Sequence, residues 1–280
     1  MNREAQGTLL ALLGMILYGL EPVIIKSNPS NPLSFAAFSA LFASIFLWIF
    51  VLLAGNWRDL EENPAHIPKT FLIGLFGTAL AYLSYSYGAR LSTAINASLI
   101  TRAEVLFSFA LSYVLLKERI TKKQAIYSLL VLLGLILVIT QGRIITPKRG
   151  DVLLLMVPLF WQIGHVIAKN LPYNPYLIAT MRNTFGGLLL FMFALSSGLE
   201  FHPLSIAEGI IIAVGQVVWY LSIKRINLSK ATAIITPAPA VAIGLSILLG
   251  ERFTLYHAAG FVLMTLGTLE ITKIKSERRV

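Results

Sequence analysis

Leu115-Leu116-Lys117-Glu118-Arg119-Ile120-Thr121 and Leu248-Leu249-Gly250-Glu251-Arg252-Phe253-Thr254 share one pattern, Leu-Leu-x-Glu-Arg-x-Thr, at an offset of 133 residues. The same offset puts Ala125 on Ala258 and Gly134 on Gly267. Earlier in each half the offset is 143: Gly7 meets Gly150, Tyr18 meets Trp161, Lys26 meets Lys169, Asn31-Pro32 meets Asn174-Pro175, and Gly55 meets Gly198. The change of offset removes ten residues between the second and fourth helices of the second half. Matches in this many segments, always in the same order, mark an internal duplication. The two units are 1–147 and 148–280.

Composition says what solvent the units occupy. Of 280 residues, 56% are hydrophobic and 13% are charged, with a mean hydropathy of +0.76. A soluble domain carries roughly a quarter charged residues, so a soluble enzyme and a disordered chain are excluded. The net charge is +10, but the cations do not gather on one face, which excludes a nucleic-acid partner. With no cysteine, disulfides and thiolate metal sites are excluded. A membrane-spanning helix needs about 20 mostly apolar residues. Ten segments qualify, near 6–26, 33–54, 68–88, 93–116, 121–140, 151–169, 176–197, 206–225, 229–249 and 254–273. Their links are mostly short, so neighbours are antiparallel. The first run is too long, and too close to Met1, for a cleaved signal peptide. The expected fold class is an all-α integral membrane protein with ten transmembrane helices in two five-helix repeats. An odd number of spans per unit inverts the second relative to the first.

Cations set the expected orientation. With a cytoplasmic N-terminus, fifteen Lys and Arg residues fall at inner ends and six at outer ends. Arg102 and Arg182 lie within spans, which accounts for all 23. Both termini are therefore expected on the cytoplasmic side of a multi-pass protein in the cell membrane.

Inverted repeats are the construction of secondary transporters, whose pseudo-twofold generates inward-open and outward-open states from one architecture. The residues at this point resemble the EamA-like exporters of the drug/metabolite transporter superfamily over essentially the whole chain. The marks are Gly7 through Lys26 and Gly150 through Lys169 on helices 1 and 6, Arg182 early in helix 7, the Leu-Leu-x-Glu-Arg-x-Thr ends of helices 4 and 9, and Pro237. The first half departs from the pattern, with Ser39 where the family has Arg and Glu104 where the second half has Pro237. The resemblance implies export of amino acids, drugs or other metabolites through a cavity lined by helices 1, 3, 4, 6, 8 and 9.

Catalytic motifs are thin. Asp59 and Asp151 are the only aspartates and both lie at span ends, the histidines are scattered, and neither H-E-x-x-H nor a phosphate-binding G-x-x-x-x-G-K-[ST] occurs. No cofactor is expected, and the chain is read as a transporter rather than an enzyme. Helical spacing then selects inward faces. They carry Tyr18 and Glu21 on helix 1, Tyr82 and Tyr85 on helix 3, and Thr101, Glu104 and Ser108 on helix 4. Helix 6 contributes Trp161 and His165, and helix 8 contributes Gln216, Trp219 and Tyr220. The interleaved glycines and alanines read as close helix packing. The aromatics read either as packing or as a sandwich for a ligand, with His165 bonding a neighbouring helix or the ligand's polar end. Glu104 lies two residues from Arg102, about 200° around a continuous helix, so its partner is expected from elsewhere: Arg182, a water cluster or the substrate's own amine. Pro22, Pro158, Pro237 and Pro239 read as hinges or static kinks inside spans. Glu118-Arg119 and Glu251-Arg252 read as scaffold in the tight links, with Thr121 and Thr254 capping the next helix.

The expected function is secondary active export of small metabolites, amino acids first, by alternating access. The expected partners are a small-molecule substrate, membrane lipid and protons. A channel or facilitator is the alternative in another class, and an intramembrane enzyme the third.

Overall fold

The structure is a computed structural model that describes residues 3–115, 118–119, 121–142, 148–169, 171–223, 225–226, 234–273 and 277–278. The first half comprises α1 (Arg3–Ser27), α2 (Pro32–Leu53), a short α3 (Arg58–Glu62), and a third span assembled from three pieces. Those pieces are α4 (Ile67–Gly74), a π turn over Leu75–Leu80, and α5 (Ala81–Leu91). The fourth span is α6 (Ala94–Ile100), a 3₁₀ turn over Thr101–Ala103, and α7 (Glu104–Leu115), followed by α8 (Lys122–Thr140). The second half gives α9 (Arg149–Lys169), α10 (Pro175–Ser197), α11 (Leu204–Ile223), α12 (Ala238–Leu248) and α13 (Leu255–Thr272). Among the described residues, the only strand pairing joins Glu118–Arg119 antiparallel to Glu277–Arg278.

Among the described residues, five segments are long and apolar enough to cross a bilayer: Arg3–Ser27, Pro32–Leu53, Pro64–Leu91, Arg149–Ala168 and Pro175–Ser197. Ala125–Thr140, Leu204–Trp219, Ala238–Leu248 and Leu255–Ile271 are shorter apolar helices. Ile45, Phe50, Leu132, Phe193 and Leu248 stand exposed on outer faces. In water such a surface is a liability, but in a bilayer the acyl chains cover it.

Repeat mates use the same local chemistry. Asn31 and Asn174 each precede a proline at the first helical position, where the missing N–H costs nothing. Each Asn side chain accepts from the backbone two residues on, Leu33 N at 2.8 Å and Tyr176 N at 3.1 Å. Each Asn backbone N–H is then taken by a carboxylate from the other half. Asn31 N donates to Glu200 Oε2 at 2.7 Å, and Asn174 N donates to Asp59 Oδ2 at 2.6 Å. Beside the second of these latches, Tyr173 donates to the Asn63 carbonyl at 2.6 Å. Burial, and then the Asp59 charge, push its phenol up, so it keeps the proton that this bond needs. The paired glycines close the same helices: Gly55 (φ 70) follows α2 and Gly198 (φ 85) caps α10, both in the left-handed region open to glycine.

The halves interlock. Mates pack on mates, α2 on α10 and α8 on α13, but α1 packs on α11 and α12 of the other half, and α9 packs on α5 and α7. Gly134 and Gly260 allow the α8–α13 approach, since a Cβ at Gly134 would lie 2.8 Å from the Gly260 carbonyl. Pro22 and Pro158 lie inside continuous α1 and α9, as expected. Pro237 and Pro239 do not lie inside a helix. Pro237 is the N-cap of α12 and Pro239 sits in its first turn, where a proline breaks nothing. The two prolines start a helix rather than bend one. At the 133 offset, the residues just before this helix start, Ile234–Thr236, fall on the 3₁₀ turn of the fourth span.

Candidate functional site

Polar side chains from both halves meet between the fourth-span break and the C-terminal third of α1. Glu21 is buried, and its Oε1 accepts from Tyr82 Oη at 2.8 Å. The Tyr82 ring lies 6.4 Å from Tyr85 and 6.5 Å from Trp161, and Tyr85 meets Trp161 edge-on at 5.8 Å and 82°. Edge-to-face pairs of this kind stabilise by about 0.5–1.5 kcal/mol each beyond area burial. The Trp161 Nε1–H is buried and has no acceptor among the described residues. Tyr85 is 2% exposed, so its ring presents no face to water in this conformation.

Arg182, on α10, is buried and opposes Glu21 electrostatically. Its position follows from the π turn. A π turn displaces a carbonyl from the ordinary ladder, and the Gly77 carbonyl within it accepts from Arg182 Nη2. Arg182 Nε also donates to Thr78 Oγ1 at 3.2 Å. A Cβ at 77 would lie 2.9 Å from Arg182 Nε, so any larger residue there would displace the guanidinium. Asn183 continues the line, donating to Gln216 Oε1 on α11 at 2.9 Å. His165 is exposed yet lies within electrostatic reach of Arg182, which puts it at the edge of this polar interior.

The bundle end that carries Lys26 is closed by hydrogen bonds between five spans and the link before α13. Lys26 Nζ donates to the carbonyls of Arg90 (3.1 Å) and Ser92 (2.6 Å). Asp151 Oδ1 accepts from Ser92 Oγ at 2.6 Å and Asn96 Nδ2 at 3.1 Å, and Asn96 Oδ1 meets His257 Nε2 at 3.0 Å. His257 Nδ1 accepts from Thr254 N in a capping box, which leaves Nε2 as the donor to Asn96. Glu251 caps α6, accepting from Ala94 N at 2.8 Å and Ile95 N at 3.0 Å. The Glu-Arg link of the second half is therefore scaffold, through its carboxylate on a helix N-terminus.

The remaining candidates fall elsewhere or stay outside the description. Tyr18 Oη donates to the Gly215 carbonyl of α11 at 3.1 Å. Thr101 spends its hydroxyl on the Ala97 and Ser98 carbonyls of its own helix. Trp219 packs with Ala11, Ile226 and Ile234 in a separate apolar cluster. The side chains of Ser108 and Tyr220 lie outside those described. Glu104 corrects the expectation for its partner. It pairs with Arg102 at 3.5 Å, and its side chain is 22% exposed. The 3₁₀ turn over Thr101–Ala103 ends the continuous helix on which the 200° separation rested. A cavity of about 410 Å³ between Leu33, Leu83, Ser84, Tyr87, Leu153 and Phe193 includes none of the candidates.

One residue was missed. Glu208, in the first turns of α11, is 0% exposed, and neither carboxylate oxygen has a partner among the described residues. It lies within electrostatic reach of Glu21, Tyr82 and Tyr85. The signal was present, since a carboxylate inside an apolar span is costly by itself.

The chain matches the EamA-like transporter family over residues 5–140 and 148–272, one match per repeat. It is 26% identical to an uncharacterized transporter of Methanothermobacter thermautotrophicus (strain Delta H), covering 95% of this chain and 85% of the relative. It is 26% identical to the uncharacterized transporter YyaM of Bacillus subtilis (strain 168), covering 85% and 84%. A transporter of Archaeoglobus fulgidus, also uncharacterized, is 24% identical over 91% of this chain and 94% of its own. A protein of known crystal structure superposes with a TM-score of 0.68 at 14% identity, covering 95% of this chain and 96% of that one.

Proposed function

Because this chain belongs to the EamA-like transporter family, a membrane transporter and not an enzyme, we propose that it exports a small zwitterionic or cationic metabolite, amino acids first, by alternating access. The observation that carries this reading is the convergence of both signs of charge with aromatic faces at one place. Glu21 and Arg182 attract each other electrostatically, Tyr82 bonds Glu21 and packs against Trp161, and the four come from both halves of the repeat. A zwitterion presents an ammonium to the carboxylate and ring faces, and a carboxylate to the guanidinium.

With the cation-poor face as the outer one, the Lys26–Asp151–His257 network closes the outside. His165 lies toward the opposite end of α9 and is exposed. That is the arrangement of a carrier ready to load from the cytoplasm, and the 3₁₀ turn of the fourth span supplies a bending point. Counterflow in proteoliposomes, screened across amino acids, nucleosides and cationic drugs, tests the reading. Saturable exchange of an amine-bearing solute is expected. Non-saturating flux without exchange would establish a channel instead.

A further inference from the structure

We propose that Glu208 and Glu21 together form a proton-binding site, loaded in this conformation, through which export is coupled to proton entry. The inference rests on the exporter reading and names its coupling ion. Glu208 is wholly inaccessible, and both of its oxygens lack a donor or a cation among the described residues. A structural carboxylate at such depth would be held by donors, as Asp151 and Glu251 are at the closed end. An unsatisfied buried carboxylate is far from stable, whereas the neutral acid is tolerated, so the geometry calls for a proton on Glu208.

The surroundings make that proton exchangeable rather than permanent. Glu21 lies within electrostatic reach of Glu208, and two carboxyl groups in one enclosed site share protons more readily than they both ionise. Among the described residues, the charged or titratable groups facing the pair are Tyr82 and Tyr85 on α5, Arg102 on the 3₁₀ turn, and Arg182 on α10. Neither arginine is committed to the pair. Arg182 bonds the π turn, and Arg102 pairs with Glu104. Tyr82 donates to Glu21 and lies within electrostatic reach of Glu208, without bonding it. When the site opens toward the cytoplasm, an O–H bond of the pair breaks, its electrons stay on the carboxylate, and the proton passes to water. The resulting anion then attracts the substrate's ammonium. Opening to the outside allows water to return a proton, which neutralises the site and releases the substrate.

Infrared difference spectroscopy of the reconstituted full chain in a pH jump reads the first half of this cycle without any substrate. The wild type should show a protonated-carboxyl C=O band that bleaches as pH rises, and Glu208→Gln should remove it. An unaltered band in Glu208→Gln, or no band in the wild type, overturns the proposal. Proteoliposomes containing a trapped pH dye read the second half. Substrate export should be accompanied by proton entry in the wild type, and that proton flux should vanish in Glu208→Gln and Glu21→Gln protein recovered folded. If Glu208→Gln does not fold, Glu208→Asp keeps the acid and should shift the infrared titration. Wild-type exchange with no proton movement overturns the coupling and leaves the exporter reading intact. Absence of exchange for every solute sinks that reading, while the infrared titration still decides the proton site.

Discussion

Asn96→Ala should unlock the closed end of the bundle. Asn96 links three spans there, donating to Asp151 Oδ1 and Ser92 Oγ and accepting from His257 Nε2. A neutral bond contributes about 0.5–1.5 kcal/mol net, and one to a charged acceptor about 1.5–3. Removing one to Asp151 and two neutral ones therefore costs the closed state about 3–5 kcal/mol if no water replaces them, and about 2 kcal/mol if water partly does. An open state that separates these ends has already lost the Asp151 and His257 bonds, while the Ser92 bond is local to the start of α6, so the cost falls mainly on one side of the equilibrium. At 1.4 kcal/mol per decade, the open population should rise at least about 30-fold. Val23 reports it, being buried against Ala94 and Ala242 beneath the network. In this cysteine-free chain, Val23→Cys should react with an impermeant maleimide about 30-fold faster when Asn96→Ala is also present. An unchanged labelling rate in folded protein would refute the idea that this network holds one end of an alternating carrier shut.

Lys148→Cys should label from outside intact cells and Arg58→Cys only after permeabilisation; the reverse pattern would invert the orientation. Gly186→Val should cost about 1–3 kcal/mol or more by overpacking, because a Cβ there would lie 2.4 Å from Thr78 Cβ; a wild-type melting temperature in detergent would contradict this. Trp161→Ala should weaken substrate exchange about tenfold through loss of a ring face, and an unchanged half-saturation would remove the ring from the site. Glu104→Gln should leave the pH profile of exchange unaltered and change stability by less than about 1 kcal/mol, as for a partly exposed ion pair; a flattened pH profile would return coupling to Glu104.

What the sequence conveyed depended on whether the signal was local. Asn31-Pro32 and Asn174-Pro175 announced helix starts because the cap and the proline act within one turn. The Glu251 capping role followed from its place in a tight link, but its target, the α6 N-terminus 157 positions earlier, did not. The break at Thr101–Ala103 left no trace, since none of these residues is a helix breaker and the periodicity runs straight through them. That silence also hid the Arg102–Glu104 pair. Pro237 and Pro239 did carry a signal, but a proline bends a helix only in its interior, and the helix start at Ala238 changes their meaning. Glu208 carried a signal by residue type alone, a carboxylate inside an apolar span, but nothing in the sequence named the groups that face it. Which side chains cluster is set by packing between halves, and no helical wheel contains that information.

The interlock of the two halves gives the molecule a history as well as a shape. During synthesis α1 enters the membrane first, yet its packing partners α11 and α12 are among the last helices made. The small-residue face of α1, with Gly7 destined for Arg225 and Gly19 for Val241, must wait exposed or borrow temporary neighbours. Helix α9 has the opposite experience, emerging with α5 and α7 already in place. Two halves that are mates in space are thus unequal in time. The first can finish folding only after the second arrives, so a ribosome stalled before α11 would release a chain with a vacant seam for quality-control proteases to find.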